Sequence, residues 1–297
     1  MLPKGSAPID TSGPACDLRP MTQKSVLITG ASSGIGFDAA LHLQARGWKV
    51  IATTRQKADA KRLTELGLTS YVLDLENPQS LAEGAARALE MTDGKLSALF
   101  NNGAIAIPGA VSDLTPEALR KAFEINVFAQ FELTRQILPA MHAAGQGRIL
   151  MNSSVLGYQS LPFRGAYCAT KHAMESLTDA MRMELRDSPL HIILLEPGPI
   201  PSRLRSNSRV HFRDHIDVAS SYHKSTYETE VIPALMEQEN APSLFQLSPR
   251  ACSKIIARAL ETPRPRARYH VTLMPAIVDA MRRLLPTAAR DAILSRN

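Results

Sequence analysis

An α/β chain folded as one domain around a doubly wound parallel sheet is the fold class this sequence predicts, and three observations predict it. Apolar runs of strand length alternate with longer stretches of helical period along most of the chain, the pattern of repeated βαβ units. A glycine-rich turn, Thr29-Gly30-Ala31-Ser32-Ser33-Gly34-Ile35-Gly36, follows directly on the apolar run Val26-Leu27-Ile28 and opens a helical stretch. With 297 residues, 44% of them hydrophobic, the chain can bury one large core, and an α/β domain of this size is usually undivided.

Strands are expected at 25–29, 49–54, 70–74, 97–101, 147–153, 190–195 and 268–273. Helices are expected between them, near 34–46, 58–66, 78–91, 116–143, 164–187 and 249–261. Asn77-Pro78, Thr115-Pro116 and Ser248-Pro249 each set a capping side chain before a proline at the first helical position. Parallel strands joined by right-handed crossovers place ligands in the crevice at their carboxyl ends. The polar stretch 200–247 breaks the rhythm, with Arg203, Arg205, Arg209 and Arg213 ahead of an amphipathic piece around Tyr227–Met236. Long excursions at the ligand edge of a sheet act as lids or substrate loops. The first twenty residues carry four prolines and little apolar periodicity, so 1–21 reads as a disordered leader, or as an upstream start with Met21 the functional first residue. The domain proper is expected over 22–275 and an amphipathic tail over 276–297.

Charge and composition exclude several classes. Of the net +6, most sits in residues 264–297, where seven arginines face Asp279 and Asp291. So uneven a distribution does not describe a nucleic-acid binder. No apolar run approaches the roughly 18 residues of a spanning helix. Cys16, Cys168 and Cys252 are odd in number and widely spaced, which argues against a disulfide framework or a zinc site and suits a reducing, cytoplasmic setting. No metal ligands are assigned, and Cys168 reads as a small buried thiol.

The chemistry-bearing residues fall in two groups. Glycines 30, 34 and 36 suit a pyrophosphate: one makes the tight turn, one admits phosphate to the backbone, one lets helix and strand pack closely. Ser32 and Ser33 offer hydroxyl donors in the same turn. Arg55 follows the second strand with no carboxylate before it, and its guanidinium suits a 2′-phosphate. Tyr167 and Lys171, four apart, share one helix face, where the ammonium is expected to hold the phenol below its usual pKa of about 10. Ser154, thirteen residues before Tyr167, offers a hydroxyl to a carbonyl oxygen held beside that phenol.

In this order and spacing the residues resemble the short-chain dehydrogenase/reductase family over about residues 22–275, which implies a Rossmann-type fold and an NADP-dependent oxidoreductase. The Gly-x3-Gly-x-Gly spacing, with Ile35 inside it, is the family's, and Thr54 stands where NAD-preferring relatives place an acid. Asp74 and Leu75 match the position beside the adenine amine. Asn101-Asn102-Gly103-Ala104 matches the family's Asn-Asn-Ala-Gly with the last two residues exchanged, leaving Asn102 a cofactor contact. Pro197 and Gly198, with Ser202 for the family's threonine, match the run that touches nicotinamide, and 200–247 matches the substrate-binding loop.

The resemblance also implies roles. Tyr167 protonates the developing alkoxide as hydride passes from nicotinamide to a carbonyl carbon, and Ser154 rather than Ser153 steadies that oxygen. Lys171 stabilises the tyrosinate and bonds the nicotinamide ribose, and Asn126 completes the proton relay. Ala52-Thr53-Thr54-Arg55 and 161–167 are similar to segments of bacterial aldehyde reductases and of retinol or hydroxysteroid dehydrogenases. They imply a small hydrophobic carbonyl or alcohol substrate: an aliphatic aldehyde, retinal or a ketosteroid. A homo-oligomer is expected from the same resemblance.

A 3-oxoacyl-thioester reductase is the alternative enzyme, kept open by the arginines at 203–213, and a non-catalytic NADP-sensing or scaffold protein is the alternative of another class. In the tail, Ile277, Val278, Met281, Leu284 and Leu285 stand at helical spacing among Arg282, Arg283 and Arg290. With Pro286 interrupting it, the segment reads first as a helix packed over the domain or on a second subunit, and second as a peripheral contact with an anionic membrane.

Overall fold

The computed structural model describes residues 23–236 and 246–294. The expected leader 1–21, positions 237–245 of the lid and the last three residues of the tail lie outside the described residues.

Seven strands, β1 (Ser25–Ile28), β2 (Lys49–Thr54), β3 (Thr69–Val72), β4 (Ala98–Asn101), β5 (Gly147–Asn152), β6 (Leu190–Glu196) and β7 (Arg268–His270), form one parallel sheet. Their order is β3-β2-β1-β4-β5-β6-β7, so the winding reverses between β1 and β4. Alternation within β1 shows how both faces are covered. Leu27 belongs to the core with α3 (Pro78–Glu90), α4 (Pro116–Phe123) and α5 (Ala129–Ala143), whereas Val26 and Ile28 belong to the core with α1 (Gly34–Gln44). The helix α2 (Lys57–Glu65) links β2 to β3, and α6 (Gly165–Glu184) precedes β6.

The expected helix 116–143 is divided. Between α4 and α5 the chain widens into a π-helical turn, Glu124–Phe128. There the buried Asn126 side chain accepts a hydrogen bond from the Ile105 N–H and donates one to the Ile105 carbonyl, both at 2.9 Å. Asn77 and Thr115 cap their helices, accepting from the N–H groups of Ser80 (3.1 Å) and Ala118 (3.2 Å). Ser248, expected to do the same, makes no such bond.

After β6 come α7 (Leu204–His215), α8 (Lys224–Thr226), a π-helical turn (Tyr227–Val231) and α9 (Ile232–Met236). Tyr227 pins this excursion to the segment after β4. Its buried hydroxyl accepts from the Ala110 N–H and donates to an Asp113 carboxyl oxygen, each at 2.7 Å. The chain then forms α10 (Pro249–Glu261), packed on α1, and β7.

The tail splits around Pro286 into α11 (Leu273–Leu284) and α12 (Thr287–Leu294). Pro275 and Val278 turn inward, and Tyr158 donates a hydrogen bond to the Pro275 carbonyl at 3.1 Å. Leu273, Ile277 and Leu284 stay exposed on the outer side. Among the described residues, no helix is long and apolar enough to cross a membrane.

Candidate active site

Where the winding reverses, the carboxyl ends of β1 and β4 diverge and open a cleft of about 310 Å³. The glycine-rich turn forms one wall. Gly30 and Gly34 hold φ of +64° and +57°, conformations that L side chains rarely adopt. A β-carbon on Gly30 would meet the Gly103 Cα at 2.6 Å, and one on Gly34 would meet the Ser202 Cβ at 2.7 Å. Ser33 makes no side-chain capping bond and no acid stands in the first turn of α1. The helix therefore presents its first N–H groups uncapped, an arrangement suited to an anion. Asn102 ties this wall to β4 and β5: its amide donates to the carbonyls of Thr29 (2.9 Å) and Gly30 (3.1 Å) and its oxygen accepts from Asn152 at 2.9 Å.

At the β2 end, Thr54 is buried and spends its hydroxyl on the Gln56 carbonyl at 3.0 Å, and Asp59 of α2 lines the cleft nearby. Exposed Arg55 lines the cleft. Two more arginines converge on the turn: Arg62 and Arg203 both donate to the Ser32 carbonyl, at 2.6 and 3.1 Å, and both pair with Asp59. Asp74 and Leu75 line the cleft beyond β3.

Ser154, Tyr167 and Lys171 meet at the opposite end, beside Pro197 and Gly198. Ser154 leaves β5 as the first residue of a tight turn, where its oxygen accepts from the Leu156 N–H at 3.2 Å. Lys171 is buried at 1% exposure and donates to the Asn152 carbonyl at 2.6 Å. Its nitrogen lies 5.6 Å from the centre of the Tyr167 ring.

The electrostatics correct the expectation of an acidified phenol. Burial pushes Tyr167 up to about 12, against the opposing effects of a Ser154 hydrogen bond and of Arg164. Burial pulls Lys171 down to about 8, with Glu175 opposing. Desolvation by burial is the largest effect on both members of the pair.

These elements fit a nicotinamide dinucleotide: an uncapped helix start, glycines with no room for a β-carbon, and polar groups at both ends of one cleft. Residues 24–211 match the short chain dehydrogenase family. The chain belongs to that family. As a short-chain dehydrogenase it is an oxidoreductase acting between CH–OH and C=O with a nicotinamide cofactor.

It is 38% identical over 272 residues to the oxidoreductase YbbO of Escherichia coli (strain K12), covering 92% of this chain and 94% of that one. It is 29% identical to the NADPH-dependent 3-dehydrocapnine reductase of Ornithobacterium rhinotracheale, covering 91% and 96%. The crystal structure of a short-chain dehydrogenase from Streptomyces avermitilis superposes with a TM-score of 0.73 at 26% identity, covering 91% and 98%.

Among the residues expected to act in this short-chain dehydrogenase, Gly34, Gly36 and Asn126 stand just behind the cleft wall. Asn126 reaches the site through Thr170, to which its amide donates at 3.1 Å. Ser202 packs against Gly34, its oxygen accepting from the Leu204 N–H at 3.3 Å. Cys168 is a buried thiol raised by desolvation, as expected. Sequence reasoning missed Arg62, Arg203 and Asn152. Arg203 was placed with the substrate loop, and only its fold-back onto Ser32 reveals its position. Arg62 falls at i+3 from Asp59 on α2, an ordinary surface spacing that does not announce its bond to Ser32. Asn152 acts on Lys171 through its main chain, which carries no residue signature.

Proposed function

We propose that this protein is an NADP-dependent carbonyl reductase acting on a hydrophobic aldehyde or ketone. The observation that carries the reading is the convergence of Ser154, Tyr167 and Lys171 on one end of the cleft, beside Pro197 and Gly198. When bound, the nicotinamide supplies the hydride. Ser154 hydrogen-bonds the carbonyl oxygen and stabilises its growing charge. Tyr167 holds its proton at neutral pH and gives it to that oxygen, downhill because an alkoxide is the stronger base. Lys171 carries a positive charge under the phenol and offers its remaining N–H groups to the ribose. Asn126 holds the π turn behind them.

The phosphates rest on the turn from Gly30 to Gly36, with Ser32, Ser33 and Ile35. The adenosine lies toward Asp74, Leu75 and Asn102, and Pro197, Gly198 and Ser202 face the nicotinamide. Arg55 and Arg203 line the cleft and, with no acid at Thr54, support a 2′-phosphate. The NADPH dependence for which the Ornithobacterium relative is named agrees with that choice. Ile105, Ile125, Ile200 and Leu204 in the lining support an apolar substrate. Arg209 is engaged by the Leu235 carbonyl, which weakens the case for a carrier-protein surface at 203–213.

In this reading, residues 22–275 form the catalytic domain with its lid at 200–247, and 276–297 form a tail laid over it. The reductase works in the cytoplasm as a homo-oligomer. The exposed Leu273 and Leu284 beside Arg282 and Arg283 make a peripheral contact with an anionic membrane the tail's second use.

Oxidation of NADPH and of NADH is followed across aliphatic aldehydes, retinal, ketosteroids and a β-ketoacyl thioester. The expected result is turnover with NADPH on a lipophilic aldehyde or ketone, reduced about 10²–10⁴-fold in Tyr167→Phe. Preference for NADH overturns the assignment of the arginines, and turnover confined to the thioester overturns the substrate class. NADPH binding without turnover of any carbonyl points to a sensor.

A further inference from the structure

A second polar cluster lies behind the catalytic residues, between α6, the ends of β6 and β7, and α11. At its centre Arg268 donates to three carboxylates: Glu175, Glu196 at 2.5 Å and Asp179 at 2.5 Å. His270 meets the second oxygen of Glu196 at 2.7 Å. Glu196 is almost wholly buried, and the chain runs from it directly into Pro197 and Gly198.

Glu175 is the member of this cluster that touches the site. It lies one helical turn beyond Lys171 on α6, 7% exposed. It also lies under the turn that carries Ser154. A β-carbon on Gly157 would come within 2.8 Å of the Glu175 Cγ, so the backbone of that turn rests on the glutamate. Lys171 has a carbonyl and a methionine sulfur as its hydrogen-bond partners. The negative charge that favours its ammonium comes from Glu175.

We propose that Glu175, clamped by Arg268, is a positioning residue for the reaction: it sets a carboxylate one helical turn from Lys171 and its side chain braces the Ser154 turn. The inference rests on the role given to Lys171 above. Arg268 is what makes a buried carboxylate tolerable at this place, since an unpaired buried charge is costly. The charged and titratable groups facing Glu175 are Lys171 and Asp179 on α6, Arg268 and His270 on β7, and Glu196 on β6. Tyr158 and the α11 residue Asp279 complete the set, and His172, Arg258, Arg266, Arg282 and Arg283 rim the same cleft. Burial and the neighbouring Glu175 push Glu196 up to about 7, so it titrates below Lys171 and must be separated from it.

The test reads the lysine directly. The full-length protein, isotopically labelled at lysine and free of cofactor, is titrated by NMR, with Lys171→Met assigning the resonance. In Glu175→Gln the Lys171 midpoint is expected to fall by about one pH unit, and the alkaline limb of NADPH-dependent turnover to fall with it. Glu175→Asp keeps the charge but withdraws it by a methylene, so an intermediate midpoint is expected. It serves alone should the glutamine variant not fold. A midpoint unchanged in the folded variants, with turnover merely lowered at every pH, overturns the proposal and leaves Glu175 a packing residue. Full turnover in Lys171→Met overturns instead the catalytic reading on which it rests.

Discussion

Burying an ammonium and a phenol together moves their titrations apart, Lys171 down to about 8 and Tyr167 up to about 12. Reduction needs the lysine charged and the tyrosine protonated, so its rate is expected to hold level below the lysine's value and to decline above it. The decline tracks Lys171, and a limb near the ordinary phenol value of about 10 would contradict this assignment. The same shift has a consequence for stability. Between about 8 and the ordinary lysine value of 10.5 the unfolded chain binds more protons at this position than the folded one, so the group's contribution to stability rises with pH across that window. Below it the full desolvation penalty is present. Lys171→Met, which fills the site without a charge, is therefore expected to melt at a higher temperature at pH 7 while losing turnover, the exchange often found at active sites. Differential scanning calorimetry decides it. An i,i+4 tyrosine–lysine pair was legible in the sequence. The sense of its pKa shifts was not, because that depends on how completely both groups are buried, which appears only in three dimensions.

Elements were legible to the degree that their signals are local. The seven strands and the main helices follow from apolar period, and Asn77 and Thr115 cap because a proline next to them fixes the helix start. Ser248 has the same sequence context and makes no cap, so the dipeptide marks the boundary without guaranteeing the bond. The π turn at Glu124–Phe128 left no periodic trace, since its cause is a non-local pairing of Asn126 with Ile105. The glycine-rich turn gives a test at this scale. Gly34→Ala combines a left-handed backbone, costing about 1–2 kcal/mol, with a β-carbon that would press on Ser202. It is expected to lower the melting temperature and to weaken NADPH binding at least about tenfold, because the strand-to-helix turn and the 197–202 segment must part. Gly47 also has a positive φ, +83°, but open space around it. Gly47→Ala should therefore lose stability and keep its NADPH affinity, and fluorescence titration of both variants separates strain from site geometry.

At the scale of the whole molecule, the cleft is assembled from segments far apart in sequence, and this was the least legible level. Arg203 reaches back across the fold to Ser32, and Arg268 joins the tail side of the sheet to α6, both through contacts no spacing rule anticipates. Tyr227 is the corresponding device for the excursion after β6. Its ring packs edge-on against Phe163 with centroids 5.3 Å apart, and its hydroxyl satisfies both Ala110 and Asp113 from a fully buried position. Burial works to raise Asp113, but hydrogen bonds from Ser221 and Tyr227 outweigh it and hold the carboxyl below its usual range. Tyr227→Phe keeps the ring and removes both bonds, leaving a buried N–H without its acceptor and a carboxylate without one donor, a loss of about 1–3 kcal/mol. Because the bonds join the excursion after β6, proposed as the lid, to the segment after β4 and not to the glycine-rich turn, the loss should fall unequally on the two ligands. The KM for a carbonyl substrate is expected to rise several-fold while the Kd for NADPH stays near that of the unaltered protein. An equal weakening of both would mean that the lid and the cofactor wall move as one body, with Arg203 the link between them.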